Sequence, residues 1–420
     1  GARISNLRWH PDGDKFSMTL TSTEGIALWV VDVPDGQARA LTGPVLNATY
    51  GSPCDWLPAD QGLVCKRIPS DHAGAPAEAR VPDGPRIEEN LGRKTPARTY
   101  SNLLQSSHDE ALFEHFLTSA MVHVSLDGTQ SELLPPSLVD EATPSPDGQW
   151  LLVHTIERPF SYQVPVSRFP RKSVALRLED PSAQTVLAEL PLADDVPVPY
   201  ASVRTGRRSI GWRPDEAATL YMVEALDGGD AGAEAEHRDL VSTWAAPFDG
   251  QPSDLWRSAL RYSSMNWGDG DLALAWEWWY DTRQVRTWRI RPDQPGAEPE
   301  LVWDRSYQDA YSDPGSVVNH MGPHGRRVIQ QTPSGELLLS GKGASPDGVY
   351  PFLDRMDLST GDTERLSQAS GETHASLARV LHADGRKFVT RRQSQTEPPN
   401  DHTRRAPQRR GQALTCLQDW

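Results

Sequence analysis

Seven short strings of turn chemistry punctuate this chain, each set between two runs of strand-forming residues, and no other feature restricts its fold so tightly. They begin at Trp9 (WHPDG), Trp56 (WLPAD), Pro144 (PSPDG), Trp212 (WRPDE), Trp267 (WGDGD), Met321 (MGPHG) and Leu381 (LHADG), which places successive strings 47, 88, 68, 55, 54 and 60 residues apart. Proline presets φ at the second position of a turn, Asp bonds its own backbone two residues on, and Gly accepts a positive φ, so such strings specify turns by mechanism. The runs around them are of strand length and β-prone, as in Ile26 to Val31 (IALWVV) and Ala218 to Ala225 (ATLYMVEA). Turn-marked units repeated at this spacing predict an all-β chain and, among all-β folds, a β-propeller with one small antiparallel sheet per unit. The count predicts seven blades. A β-sandwich or a pair of small barrels would not require seven matched turns.

Two gaps are longer than the rest and call for insertions. Residues 69–98 are rich in Pro, Ala and Gly, and residues 99–118 carry a helical period in which Leu103, Leu104, Leu112, Phe113, Phe116 and Leu117 make one apolar face. A short helical insertion is therefore expected near 99–118, inside an interruption of the propeller at about 69–118.

Composition narrows the partners. With 42 Lys and Arg against 57 Asp and Glu the net charge is −15, and a surface that must neutralise phosphates would need the opposite sign, so no nucleic-acid partner is expected. No apolar run approaches the roughly 18 residues of a membrane span, and no signal-peptide pattern opens the chain. A soluble chain with no membrane partner is expected, its N-terminal targeting region lying upstream of residue 1. Cys54, Cys65 and Cys416 are too few for a disulfide framework and lack metal-ligand spacing, so they read as free thiols; Cys54 and Cys65 do flank one of the turns and could face each other across a hairpin.

Several unusual strings occur in one order along the chain: Arg158-Pro159-Phe160-Ser161-Tyr162, Arg168-Phe169-Pro170-Arg171-Lys172, Leu190-Pro191-Leu192-Ala193, Arg207-Arg208-Ser209-Ile210 with Trp212-Arg213, the Asp227-Gly228-Gly229-Asp230-Ala231 turn, Arg238-Asp239, Asp304-Arg305-Ser306, and Tyr311-Ser312-Asp313-Pro314-Gly315-Ser316. Together they resemble the propeller domain of the glutamyl endopeptidases, a branch of the prolyl oligopeptidase family of serine peptidases. The resemblance covers residues 1–399. It implies a propeller that caps an active site and filters peptide substrates, with acyl transfer to a Ser on an α/β-hydrolase domain that follows the propeller. After Asn400 the likeness stops and an Arg-rich stretch begins, so residues 400–420 read as an aberrant or truncated tail, although Ala413-Leu414-Thr415 echoes the close of the first unit, Ala40-Leu41-Thr42.

The chain itself holds no Gly-x-Ser-x-Gly elbow and no alternating βα pattern, so no catalytic residue is assigned and the isolated chain is expected to be inactive. No cofactor is expected and no metal. His320 and His324 have helical spacing for a metal, but Gly322 and Pro323 stand between them. Asp12, Asp147, Asp215 and Asp347 read as turn formers, and Asp227 to Asp230 lacks the alternating ligands and closing Glu of a calcium loop. Trp276 to Tyr280 (WEWWY) reads as blade packing. The basic clusters admit two readings. Arg158, Arg168, Arg171 and Lys172, and Arg204, Arg207 and Arg208, either brace neighbouring blades through ion pairs and stacking, or present guanidinium groups to an acidic side chain of a peptide. Arg158, Arg168, Arg207 and Arg208 are the candidate substrate-binding residues, with Phe160, Tyr162 and Phe169 close by in sequence. The rival to a peptidase portion is a stand-alone propeller acting as a binding scaffold.

Overall fold

The structure, a computed structural model, describes residues 1–78, 100–196, 200–294, 296–406 and 408–417. The chain divides into two compact units, Gly1–Arg257 with Pro323–Arg326, and Ser258–Gly322 with Arg327–Trp420.

In the first unit, β1 (Arg3–Trp9), β2 (Lys15–Ser22), β3 (Gly25–Asp32) and β4 (Gln37–Ala40) form a four-stranded sheet in chain order. A seven-stranded sheet follows. It is built from β5 (Cys54–Trp56), β6 (Leu63–Arg67), β7 (Thr118–Val124), β8 (Gln130–Pro144), β9 (Trp150–Ile156), β10 (Arg171–Arg177) and β11 (Gln184–Leu190), also in chain order. The 15-residue β8 pairs with β7 from Gln130 to Leu138 and with β9 from Val139 to Pro144, so one strand ends one half of the sheet and begins the next. A third sheet takes β12 (Arg208–Trp212), β13 (Thr219–Ala225), β14 (Asp239–Ala245) and β15 (Ser253–Ser258).

The core of this unit explains its unbroken apolar runs. Along β9, Leu151 and Val153 join Leu57, Val64, Met121, Val174 and Leu176 on one face, while Leu152 joins Ala175, Leu187, Leu220, Met222 and Phe248 on the other. A strand covered on both faces has no need of polar alternation, and truncating such a residue to Ala costs about 2–5 kcal/mol.

In the second unit, β16 (Arg261–Trp267), β17 (Ala273–Trp279), β18 (Gln284–Ile290) and β19 (Glu300–Ser306) make another four-stranded sheet. The next sheet contains β20 (Ser316–Val317), β23 (Leu337–Gly341), β26 (Phe352–Met356) and β27 (Thr363–Gln368). Two small hairpins interrupt it in sequence, β21 (Asn319–Met321) with β22 (Arg327–Ile329) and β24 (Ala344–Ser345) with β25 (Gly348–Val349). The last sheet is β28 (His374–Val380), β29 (Lys387–Gln393), β30 (Asn400–Arg405) and β31 (Gln408–Ala413). Its last two strands, β30 and β31, thus come from the stretch that the sequence sets apart from the rest.

The architecture is all-β and its four-stranded meanders are β-propeller blades. Each of the seven turn strings closes a hairpin: β1–β2, β5–β6, β8–β9, β12–β13, β16–β17, β21–β22 and β28–β29.

Two expectations need correction. Cys54 and Cys65 are not free: they are register partners across the β5–β6 hairpin with Cα atoms 4.2 Å apart, and they form a disulfide. Lys66 N donates to Pro53 O and Leu57 N to Gly62 O, which makes 54 and 65 a non-hydrogen-bonded pair, the position where opposed side chains come closest. Only Cys416 is a free cysteine. The helix is also shorter than its apolar period suggests. It spans Ser107–Leu117 (α1), because Ser106 holds an extended φ of −151° and its side chain accepts from Asp109 N as an N-cap. Leu103 and Leu104 precede it and Phe116 is 47% exposed, while Leu117 is buried and Phe113 packs beside Ile156, Phe160, Val164 and Phe169. The expected insertion at 69–118 also includes residues 79–99, which lie outside the described residues.

Candidate functional site

The four candidate arginines fall in two places. Arg158 grips α1: its Nε donates to Glu114 Oε1 at 2.7 Å and its Nη1 to Glu110 Oε2 at 2.8 Å, and it lies 4.5 Å from the centroid of the Phe160 ring. The two carboxylates hold it above the ordinary guanidinium pKa. Arg168 lies 5.8 Å from the Tyr100 ring centroid and, alone of the four, has no carboxylate partner among the described residues. Phe169, beside it, stacks on Phe160 at 5.4 Å, so both arginines stand at one aromatic cluster. Arg204 braces the same place, donating to the carbonyls of Ser167, Phe169 and Pro191. Burial, then the charges of Arg171 and Arg168, lower its pKa.

Arg207 and Arg208 diverge. Arg207 donates to Leu187 O at 3.2 Å and lies 5.4 Å from the Trp244 ring, with Glu224 at 3.8 Å. Arg208 pairs with Asp239, whose side chain has no exposed surface. Lys172 reaches Glu189 at 3.4 Å and Arg171 pairs with Asp140.

The first unit also contains a cavity of about 360 Å³ that sequence analysis passed over. Its walls come from the β8 end and the turn after it (Glu141, Thr143, Pro144, Pro146), from His154 on β9, from Ile210, Gly211, Trp212 and Pro214 on and after β12, from Tyr221 on β13, and from Arg326. Local structure fixes each of these. Gly211 leaves room for the Tyr221 ring, since a Cβ there would lie 3.0 Å from it. The Trp212 Nε1–H donates to Thr143 O at 2.9 Å, tying the indole to the opposite wall. Gly325, at φ +64°, lies where a Cβ would strike Pro11, and the tight turn delivers Arg326, whose Nη2 donates to Pro144 O at 2.9 Å.

Electrostatically the cavity has two ends. Arg326 makes no ion pair among the described residues; burial lowers its pKa and the charge of Asp55 opposes that shift. Glu141 is raised, first by burial and then by Asp140 and Asp55, with Arg171 and Lys66 opposing. Tyr221 is raised by burial and by Glu141, which puts it at the acidic end. His154 is pushed down to about 4 by burial and by Arg171; its Nδ1 is 2.7 Å from Ser173 Oγ, so near neutral pH it is an uncharged wall. The signals available in sequence were a lone His inside the apolar run LLVHTI and an Arg directly after a Pro-His-Gly turn, neither of which points to a cavity by itself.

Comparison with known proteins places the chain. It is 40% identical over 422 aligned positions to a protein of Oryza sativa subsp. japonica described as "Probable glutamyl endopeptidase, chloroplastic", covering 94% of this chain. The Arabidopsis thaliana protein of the same description is 36% identical over 99% of the chain. By sequence, the chain belongs with the glutamyl endopeptidases. It spans 45% of the length of either relative. No protein-family model matches it. Among solved structures, the β-propeller domain of the Trilobed protease from Pyrococcus furiosus aligns with 99% of this chain and 96% of that one at 10% identity, with a TM-score of 0.45, a likeness too loose to carry an argument. No described helix is long and apolar enough to cross a membrane.

Proposed function

We propose that this chain is the substrate-gating β-propeller portion of a Glu-preferring serine peptidase of the prolyl oligopeptidase family. The observation that carries the reading is identity of 40% held over 94% of the chain to a glutamyl endopeptidase. In this reading the propeller has seven blades, a count supported by the seven turn-closed hairpins and by treating the seven-stranded sheet as two blades that share β8. It occupies residues 1–399, interrupted at about 69–118, while residues 400–420 depart from the family pattern and yet supply β30 and β31 to its last sheet. Its partners are a peptide substrate and a C-terminal α/β-hydrolase domain of the same protein, which supplies the Ser for acyl transfer. Neither nucleic acid nor membrane is a partner, in keeping with the charge of −15.

A body of that charge repels acidic peptides at long range, so preference for Glu needs a cationic contact at short range. We assign that contact to Arg158, Arg168, Arg207 and Arg208. Arg168 is the first of these to test, because no described carboxylate already engages it. A charge-assisted pair with substrate is worth about 1.5–3 kcal/mol, roughly 10- to 150-fold in selectivity. In the full-length protein, Arg→Ala at these positions should lower kcat/KM for Glu peptides by that factor and leave Gln peptides much less affected. Equal losses on both substrates would assign these arginines to blade bracing. A gene whose reading frame holds no hydrolase domain after Trp420 would favour the stand-alone scaffold instead.

A further inference from the structure

We propose that the cavity between β8, β9, β12, β13 and Arg326 binds the two charged ends of a short peptide, its carboxylate at Arg326 and its free α-amino group at Glu141. The inference stands on the cavity's own chemistry and needs no peptidase activity, since it concerns a binding site held entirely within the first unit.

Arg326 supplies the cationic end. A guanidinium has five N–H donors, and Arg326 uses its Nη2 on Pro144 O and has no carboxylate within ion-pair distance among the described residues. Arg326 lines the cavity, and none of its nitrogens is both buried and without a partner. A guanidinium in a cavity wall, with a backbone carbonyl as its partner, keeps donors that can take a carboxylate.

Glu141 supplies the anionic end. Its backbone is the register partner of His154, and its carboxylate is solvent-accessible although crowded by neighbours. The cations that act on it, Arg171 and Lys66, are committed elsewhere. Arg171 pairs with Asp140, and the Lys66 ammonium is held by the carbonyls of Tyr50 and Asp140. Glu141 therefore has no cation of its own among the described residues, and an ammonium from a ligand would complete it. Among the described residues Arg326 and Glu141 are not ion-paired with each other.

Between the ends lie neutral and mostly apolar surfaces: Trp212, Tyr221, Pro144, Pro146 and the uncharged His154. At about 360 Å³ the cavity lies at the small end of ligand pockets, and two residues of extended chain span about 7 Å, so a dipeptide matches both its size and its polarity. Trp and Tyr walls favour an apolar or aromatic side chain on that ligand.

The test is calorimetric titration of the 420-residue chain with Ala-Phe, N-acetyl-Ala-Phe and Ala-Phe-amide. Ala-Phe is expected to bind, and each blocked peptide is expected to bind at least tenfold more weakly. Arg326→Gln should abolish the preference for the acid over the amide, and Glu141→Gln the preference for the free over the acetylated amine, each leaving the other preference in place. Equal affinity for all three peptides on the unmodified chain, or no binding of Ala-Phe, would overturn the proposal without reference to any variant's stability.

Discussion

The Arg208 guanidinium meets the Asp239 carboxylate at 2.7 Å, and that carboxylate is wholly out of solvent. Breaking a buried ion pair from one side costs about 3–5 kcal/mol, whereas exposed pairs contribute about 0–1 kcal/mol. Arg208→Ala should therefore lower unfolding stability several-fold more in free energy than Arg158→Ala, whose guanidinium is half-exposed. Urea denaturation of both variants measures the difference, and it also separates losses of substrate preference from losses of folded protein.

The Cys54–Cys65 bridge closes a loop with a sequence separation of 11. Chain-entropy arguments give a loop of that size about 3 kcal/mol of stabilisation. Non-reducing peptide mapping should recover residues 54 and 65 in one cross-linked pair and Cys416 as the alkylated thiol. The Cys54→Ala/Cys65→Ala variant should unfold at lower urea concentration. If the oxidised chain yields all three cysteines alkylated, the bridge is absent.

His154 sets a pH dependence. Its pKa falls from 6.5 in the unfolded chain to about 4 in the fold, so the neutral form is the one the fold accepts. The stabilisation is complete above about pH 6.5 and is lost progressively as pH falls from there toward 4, by an amount on the order of 3 kcal/mol. Stability curves between pH 7 and 4 should be flatter for His154→Gln than for the unmodified chain. A parallel pair of curves would show that His154 does not titrate in this window.

Ser173 and His154 are hydrogen-bonded, yet Ser173 is only 2% exposed. A nucleophile must reach its substrate, and this one is sealed between strands. A fluorophosphonate probe is accordingly expected to leave the 420-residue chain unlabelled. A stoichiometric adduct on any Ser would place a catalytic site within this chain.

The turns were legible in sequence because Pro, Asp and Gly act through their own backbone geometry, independent of anything far away; Asp147, for instance, accepts from Ser145 Oγ and Gln149 N within its own turn. Pairings that depend on register were not. Whether Cys54 meets Cys65 turns on which residues of the hairpin are opposed, and a slip of one position would have sent the two side chains to opposite faces. The cavity was out of reach for a further reason: Arg326 meets Pro144 across 182 positions, and nothing local to either residue encodes that approach. The arginine clusters fall between these cases. Their aromatic setting could be read from Phe160 and Phe169, but Arg207 and Arg208 turning to different partners is a matter of strand pleat and tertiary neighbours.

The shared strand β8 has a mechanical consequence. Where other neighbouring sheets are joined by loops, the two halves of the seven-stranded sheet are joined by uninterrupted extended backbone, hydrogen-bonded to β7 up to Leu138 and to β9 from Val139 onward. A loop lets one sheet tilt or fray while the next stays folded. A continuous strand transmits any displacement of one half as a pull on the ladder of the other, so this part of the chain opens as one cooperative piece, and the cavity wall at its Pro144 end moves with it.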